Sequence, residues 1–197
     1  VPAPDPSPTR TAAVLVPVKA FSRAKVRLAS ALGPHERAAL ARSMAEQVLR
    51  AAAPLPAHVV CDDEEVAEWA RRHGASVVWK PGRGLNGAVL EGVADLATDG
   101  FERVVVAHAD LPHALALAWV ADHDGVTLVP DRRDDGTNVI GLPAASGFRF
   151  AYGPGSFVRH RTEAGRLGLP VRVVREPRLG WDVDQPADLE EPAWARR

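Results

Sequence analysis

Four cations, Lys19, Arg23, Lys25 and Arg27, fall within nine residues just after the apolar run Val14-Leu15-Val16-Pro17-Val18. Like charges at that spacing repel unless something anionic sits among them, and a polyphosphate meets that demand. Taken alone, the cluster also reads as a solvated basic loop. Carboxylates stand in comparable positions further along. Asp110, in Ala109-Asp110-Leu111-Pro112, follows the apolar run Val104 to Ala107. It reads as a side chain projecting from a buried strand into a ligand crevice, or as the N-cap of a helix beginning near Pro112. Asp182 and Asp184, in Gly180-Trp181-Asp182-Val183-Asp184-Gln185-Pro186, share one side of an extended segment by alternation. Two carboxylates facing one way call for a cation between them. Magnesium, which takes one or two carboxylates plus phosphate oxygens, is the natural candidate. Asp184 has a second reading, as the cap of a short helix starting near Pro186.

Glycine turns supply a second kind of anion site. Tyr152-Gly153-Pro154-Gly155-Ser156-Phe157 opens a helix running to about Leu167. Glycines let backbone N–H groups approach an anion, and a helix start adds favourable potential, so a carboxylate or phosphate fits there. A plain turn with Ser156 as N-cap is the competing reading. Gly136-Thr137-Asn138 lies between the charged turn Asp131 to Asp135 and a strand. Gly82-Arg83-Gly84-Leu85-Asn86-Gly87 lacks the Lys-Ser/Thr ending of a P-loop and matches the dinucleotide fingerprint poorly. His108, His113 and His123 show no metal-ligand spacing.

The elements that must hold these groups alternate along the chain. An unbroken Val/Leu run such as Val14 to Val16 reads as a buried central strand, and open α/β sheets bind ligands at the carboxyl ends of such strands. Pro34 to Ala53 reads as a helix, with Leu40, Met44, Val48 and Leu49 on one face. Strands are expected at His58 to Cys61, Ala75 to Trp79, Arg103 to Ala107, Val126 to Val129, Asn138 to Leu142 and Val171 to Val174. Further helices are expected from an acidic start after Asp62-Asp63 to Arg72, over Leu85 to Leu96, and over Leu111 to Ala121. The pattern implies an α/β fold, a mostly parallel sheet flanked by helices, with a looser antiparallel insertion in the second half.

Composition bounds the rest. A chain of 197 residues suits one domain, here residues 12–197, preceded by a disordered Pro-rich lead-in, Val1 to Thr11. A formal net charge of -1 argues against general nucleic-acid binding. The single cysteine, Cys61, excludes a disulfide framework. With no long apolar span and no basic-then-apolar head, the expectation is a soluble cytoplasmic protein without membrane contact.

Several of these segments together resemble one family. They are Pro17-Val18-Lys19, Ala24-Lys25-Val26-Arg27-Leu28, Ala109-Asp110-Leu111-Pro112, Gly136-Thr137-Asn138, Phe150 to Phe157 and Asp182-Val183-Asp184-Gln185-Pro186-Ala187-Asp188-Leu189. The chain is similar to the 2-phospho-L-lactate or phosphoenolpyruvate guanylyltransferases of coenzyme F-420 biosynthesis, within the Rossmann-like nucleotidyltransferases. The resemblance runs from about Ala12 to Leu189, and Val26 stands where the family often has Ser. It implies that GTP is joined to a small phosphorylated three-carbon acid with release of pyrophosphate. The acceptor phosphate is already anionic near neutral pH, its second pKa being about 6, so no histidine base is needed. By the resemblance, Lys25, Asp110 and Asp184 are the catalytic set. Lys19, Arg23, Lys25 and Arg27 bind the triphosphate, with Asn86 at the guanine. Thr137, Gly153 and Ser156 bind the acceptor, and Asp110, Asp184 and Asp182 hold magnesium. A homodimer stays open.

Two alternatives remain at this stage. One is a nucleotidyltransferase acting on a molybdopterin or sugar phosphate, against which the Gly153 to Ser156 turn and the glycine-poor first loop both argue. The other is a non-catalytic nucleotide-binding module, against which the joint presence of Lys25, Asp110 and Asp184 argues. The sequence does not choose among phosphoenolpyruvate, 2-phospholactate and 3-phosphoglycerate, though the GC-rich composition favours the first by association.

Overall fold

A computed structural model describes residues 12–190 and 192–195; the lead-in Val1 to Thr11 lies outside the described residues. Seven strands form one sheet: β1 (Ala12–Pro17), β2 (Ala57–Cys61), β3 (Ser76–Trp79), β4 (Arg103–Ala107), β5 (Val126–Pro130), β6 (Thr137–Pro143) and β7 (Val171–Val173). Their spatial order is β3-β2-β1-β4-β6-β5-β7. β1 pairs in parallel with both β2 and β4, while β6 runs antiparallel to β4 and β5. The expected antiparallel element in the second half is therefore β6. Strand order turns back between β1 and β4, which opens a crevice beyond their carboxyl ends.

Side-chain alternation along β1 feeds two cores. Val14 and Val16 pack with α1 (Pro34–Ala52) and α2 (Glu64–Arg72), whereas Ala13 and Leu15 pack with α3 (Gly84–Thr98) and α4 (Ser156–Arg166). Both faces of the strand are covered, which is why its sequence is apolar throughout rather than alternating. A third, small cluster joins Leu28, Met44 and Val183. It matters for the site, because it packs the basic loop after β1 against the late aspartate segment.

The helix expected over Leu111 to Ala121 is absent. Only a 3-10 turn, Ala118–Ala121, forms there, and Ala116 has φ of 39°. The buried residues Leu111, Ala114, Leu117 and Val120 recur every three positions, a spacing that an α-helix of 3.6 residues per turn does not keep on one face. The Leu117 N–H bonds to the Ala51 carbonyl at 2.8 Å instead of to its own segment. Gly141 on β6 admits this turn, since a Cβ there would stand 2.4 Å from the Val120 carbonyl oxygen. Asp110 is consequently no helix cap. No described helix is long and apolar enough to cross a membrane.

Candidate active site

After β1 the chain enters two short 3-10 turns, Phe21–Arg23 and Val26–Leu28, anchored by the buried side chains of Phe21 and Leu28. Lys25, between them, has φ of 53°, a left-handed conformation unusual for a residue with a side chain. That backbone holds the Lys25 ammonium between two carboxylates remote in sequence. Its Nζ donates to Asp110 Oδ2 at 2.6 Å and to Asp184 Oδ1 at 3.0 Å. Burial opposes the Lys25 charge, but Asp110 and Asp184 outweigh it and hold its pKa above the ordinary lysine value. Burial likewise pushes the Asp110 carboxyl up, and Lys25 outweighs that effect to leave it below the usual range. Arg27, mostly exposed, reaches Asp184 Oδ2 at 3.5 Å.

Asp110 sits in the crevice beyond β4, and its carbonyl accepts the Val183 N–H at 3.2 Å. This bond ties the Asp182–Asp184 segment directly to the Asp110 loop. Asp184 does not cap the following turn, Pro186–Leu189; that part falls to Asp188. The Asp188 carboxylate, almost wholly buried, accepts the Asp184 N–H at 2.9 Å and the Gln185 N–H at 2.8 Å. Its other oxygen accepts from Arg132 and Arg133. Arg132 stacks on Trp181 with 4.2 Å to the ring centroid and donates to the Asp182 carbonyl at 3.0 Å. Asp182 itself faces Asn138, whose Nδ2 is 3.5 Å from its Oδ1. Burial, and then the neighbouring Asp110 and Asp184 charges, push the Asp182 carboxyl up.

The opposite wall of the cleft is built by the 151–157 loop. Gly153 has φ of 114° and Gly155 φ of 71°, backbone states that only glycine adopts without strain. Asp131 shapes the preceding charged turn by accepting the N–H groups of Arg133, Asp135 and Gly136. Asp135 then accepts the Gly155 N–H at 2.9 Å. Ser156 is buried rather than capping α4: Gly155 occupies the cap position, and Ser156 Oγ accepts the Thr137 N–H at 3.0 Å.

One cleft of about 750 Å³ gathers nearly all of the predicted residues. Lys19, Arg23, Lys25, Arg27, Asp110, Thr137, Gly153, Ser156, Asp182 and Asp184 all line it. Asn86 is not among the lining residues; its Oδ1 accepts the Tyr152 N–H at 2.7 Å, fastening the start of α3 to the 151–157 loop. Val26, where the resembling family often has Ser, is largely exposed. Sequence reasoning gave no role to Asp188, Arg132, Asn138 or Asp135; Asn138 and Asp135 line the cleft, and Asp188 and Arg132 brace it from behind. The spacing Gln185-Pro186-Ala187-Asp188, with an acid three residues past a cap position, was the available signal for Asp188.

Among the described residues, no group of three or more His, Cys, Asp or Glu side chains is placed to hold a metal ion. Asp110 and Asp184 do converge on one cation, the Lys25 ammonium, and Asp110 Oδ1 is buried without a protein partner. Such a pair suits a hard ion that completes its shell with phosphate oxygens and water, not an all-protein cage.

Asp188→Ala is expected to cost about 2–3 kcal/mol, because it strips a buried acceptor from two backbone N–H groups and two guanidinium groups. For a protein of this size that is roughly 5–10 °C in Tm. Turnover should fall with it, since Asp184 loses its anchor, and native kcat in the folded variant would show that Asp184 is placed without Asp188.

A sheet ordered in this way, with cations and carboxylates converging beyond β1 and β4, has the architecture of the Rossmann-like nucleotidyltransferases. A putative nucleotide-diphospho-sugar transferase from Desulfovibrio desulfuricans G20 superposes with a TM-score of 0.75 at 20% identity, covering 95% of this chain and 91% of that one. Residues 12–193 match the family described as Guanylyl transferase CofC like, and the chain belongs to that family. It is 40% identical over 192 residues, 93% of each chain, to a phosphoenolpyruvate guanylyltransferase from Sphaerobacter thermophilus. It is 36% identical to a 2-phospho-L-lactate guanylyltransferase from Halorubrum lacusprofundi, over 90% of this chain and 82% of that one.

Proposed function

We propose that the protein transfers the guanylyl group of GTP to phosphoenolpyruvate or 2-phospho-L-lactate, with magnesium as cofactor. The observation that carries this reading is the cleft itself. A lysine bridging two aspartates stands on one wall, and Thr137 and Ser156 line another, in a chain of the guanylyltransferase family. An acceptor phosphate oxygen attacks the α-phosphorus of GTP. The bond from that phosphorus to the oxygen bridging to the β-phosphate breaks, and pyrophosphate leaves. The product is enolpyruvyl- or lactyl-diphospho-5'-guanosine.

Lys19, Arg23 and Arg27, which line the cleft, would bind the triphosphate, and Lys25 would neutralise charge at the α-phosphate. Asp110 and Asp184 would hold magnesium, with Asp182 beside them. A bound magnesium ion supplies neutralisation of the charge that grows on the leaving group. Thr137, Gly153 and Ser156 would bind the acid. No residue is needed to deprotonate the nucleophile, so the work is positioning and charge neutralisation.

Mass spectrometry of the products from GTP with phosphoenolpyruvate, 2-phospholactate and 3-phosphoglycerate in competition tests the reading. Guanylylated phosphoenolpyruvate is expected to dominate. Pyrophosphate release only with a sugar phosphate or pterin, or with no acceptor at all, would overturn it. Ser156→Ala should raise KM for the acid about tenfold through loss of one charge-assisted hydrogen bond, while GTP affinity measured by calorimetry stays unchanged. The opposite split would mean the donor and acceptor walls are exchanged.

A further inference from the structure

His160, on α4, is fully buried, and the 12–190 segment gives it two partners that settle its chemistry. The Ala151 backbone N–H lies 2.9 Å from its Nε2, and Thr137 Oγ1 lies 3.0 Å from its Nδ1. A backbone amide can only donate, so Nε2 is the acceptor and the proton of the neutral ring sits on Nδ1. Nδ1–H therefore donates to the Thr137 hydroxyl. Ser156 is in the same condition, its Oγ already accepting the Thr137 N–H. Each hydroxyl receives a fixed protein donor and keeps its own proton to give, and both residues are among those lining the cleft.

We propose that His160 is a positioning residue for the acceptor acid. By donating to Thr137 it sets that hydroxyl, beside Ser156, as one of two O–H donors facing the ligand. The wall then takes anionic oxygens, carboxylate or phosphate, and disfavours a group that must itself donate there. This rests on the reading that the acceptor lies against Thr137 and Ser156.

Three features support the assignment. Backbone N–H groups of this wall are already committed: Gly155 to Asp135 Oδ1, Ser156 to the Gly153 carbonyl and Phe157 to the Asp135 carbonyl. The imidazole is confined by aromatic rings, with Tyr152 at 4.8 Å and Phe148 at 5.8 Å between centroids, so the ring has little room to turn over. Burial, helped by His108 and Arg159 and opposed by Glu163, pushes the His160 pKa down to about 4, so the ring is neutral at pH 7.

The test combines spectroscopy with a mutant cycle. Nitrogen-15 shifts of the wild-type imidazole should show the proton on Nδ1, and a proton on Nε2 overturns the proposal without any variant. His160→Gln can still accept the Ala151 N–H but cannot reach Thr137, so KM for the acid should rise about tenfold with KM for GTP within twofold. His160→Asn, whose amide can stand in for Nδ1–H, should restore most of the loss. In a Thr137→Val background, His160→Gln should have no further effect on the acid. Equal rises in both KM values, no rescue by His160→Asn, or additive effects with Thr137→Val would each overturn the positioning role. If Thr137→Val alone leaves KM for the acid unchanged, the acceptor reading has failed and the proposal falls with it. If Thr137→Val raises that KM and His160→Gln does not, only the proposal falls.

Discussion

Asp110→Asn is expected to lower kcat at least about a thousandfold, or roughly 4 kcal/mol of lost transition-state stabilisation, in a protein that still folds. The side chains are nearly the same shape, and the bond from the Val183 N–H goes to the Asp110 backbone, which the substitution leaves alone. What disappears is the negative charge. In the free protein that charge lies 2.6 Å from the Lys25 ammonium. During the reaction, on the proposed reading, it helps hold the ion that balances the departing pyrophosphate. Loss of the Lys25 contact should cost about 1–3 kcal/mol, the lower part of the range for broken ion pairs because both side chains keep some solvent exposure. The sign of the pH effect follows from the depressed Asp110 pKa. Its stabilising contribution is present above the usual carboxylate pKa near 4 and is lost as pH falls through the lower folded value, so wild type and variant should be compared near pH 7. Steady-state rates and melting curves separate the roles. Near-native kcat with a lowered Tm would reduce Asp110 to a counter-ion for Lys25.

The parts of this site that were legible in the sequence are those set by local patterns. The Val14 to Val16 run marks a strand buried on both faces, and the cations that follow it must then emerge at a sheet edge where ligands bind. Asp110 was legible in the same way, as a polar residue just beyond an apolar strand. The Leu111 to Ala121 segment misled because its apolar content suits a helix while its three-residue spacing does not, and a tertiary bond from Leu117 to Ala51 replaced the helical one. Pairings across the fold were beyond local reading. Lys25 meets partners 85 and 159 positions away, and no spacing rule in one sequence brings those three together. Asn86, which the resemblance puts at the guanine, has a second part that no local pattern announced: its Oδ1 braces the Tyr152 backbone, 66 positions away. His160 carried no signal, since a lone histidine within a helix does not show which of its nitrogens will meet a backbone amide.

Lys25→Met should lower kcat about 100- to 1,000-fold and weaken GTP binding, because a cation touching the transferred phosphate contributes in both the ground and transition states. Methionine keeps most of the apolar stem, so the loss reports on the ammonium and not on packing. Stability should fall as well. Burial opposes the lysine charge, yet Asp110 and Asp184 win and raise its pKa. A group with a raised folded pKa gives its full contribution below the ordinary lysine value near 10.5 and loses it only as pH climbs through the folded one. At pH 7 the variant therefore forfeits all of it, about 2–3 kcal/mol or roughly 5–10 °C in Tm. Two carboxylates that shared an ammonium are then left facing each other, with only the exposed Arg27 guanidinium, 3.5 Å from Asp184, to offset them. Millimolar magnesium without nucleotide should accordingly raise the Tm of Lys25→Met more than that of the wild type, where the ammonium already occupies the position. Calorimetry with GTP and magnesium, melting curves with and without magnesium, and steady-state kinetics give three independent readings. A variant that keeps GTP affinity and kcat within twofold would remove Lys25 from the chemistry. One that loses both, yet gains no extra stability from magnesium, would keep the lysine and shift the metal away from the Asp110–Asp184 pair.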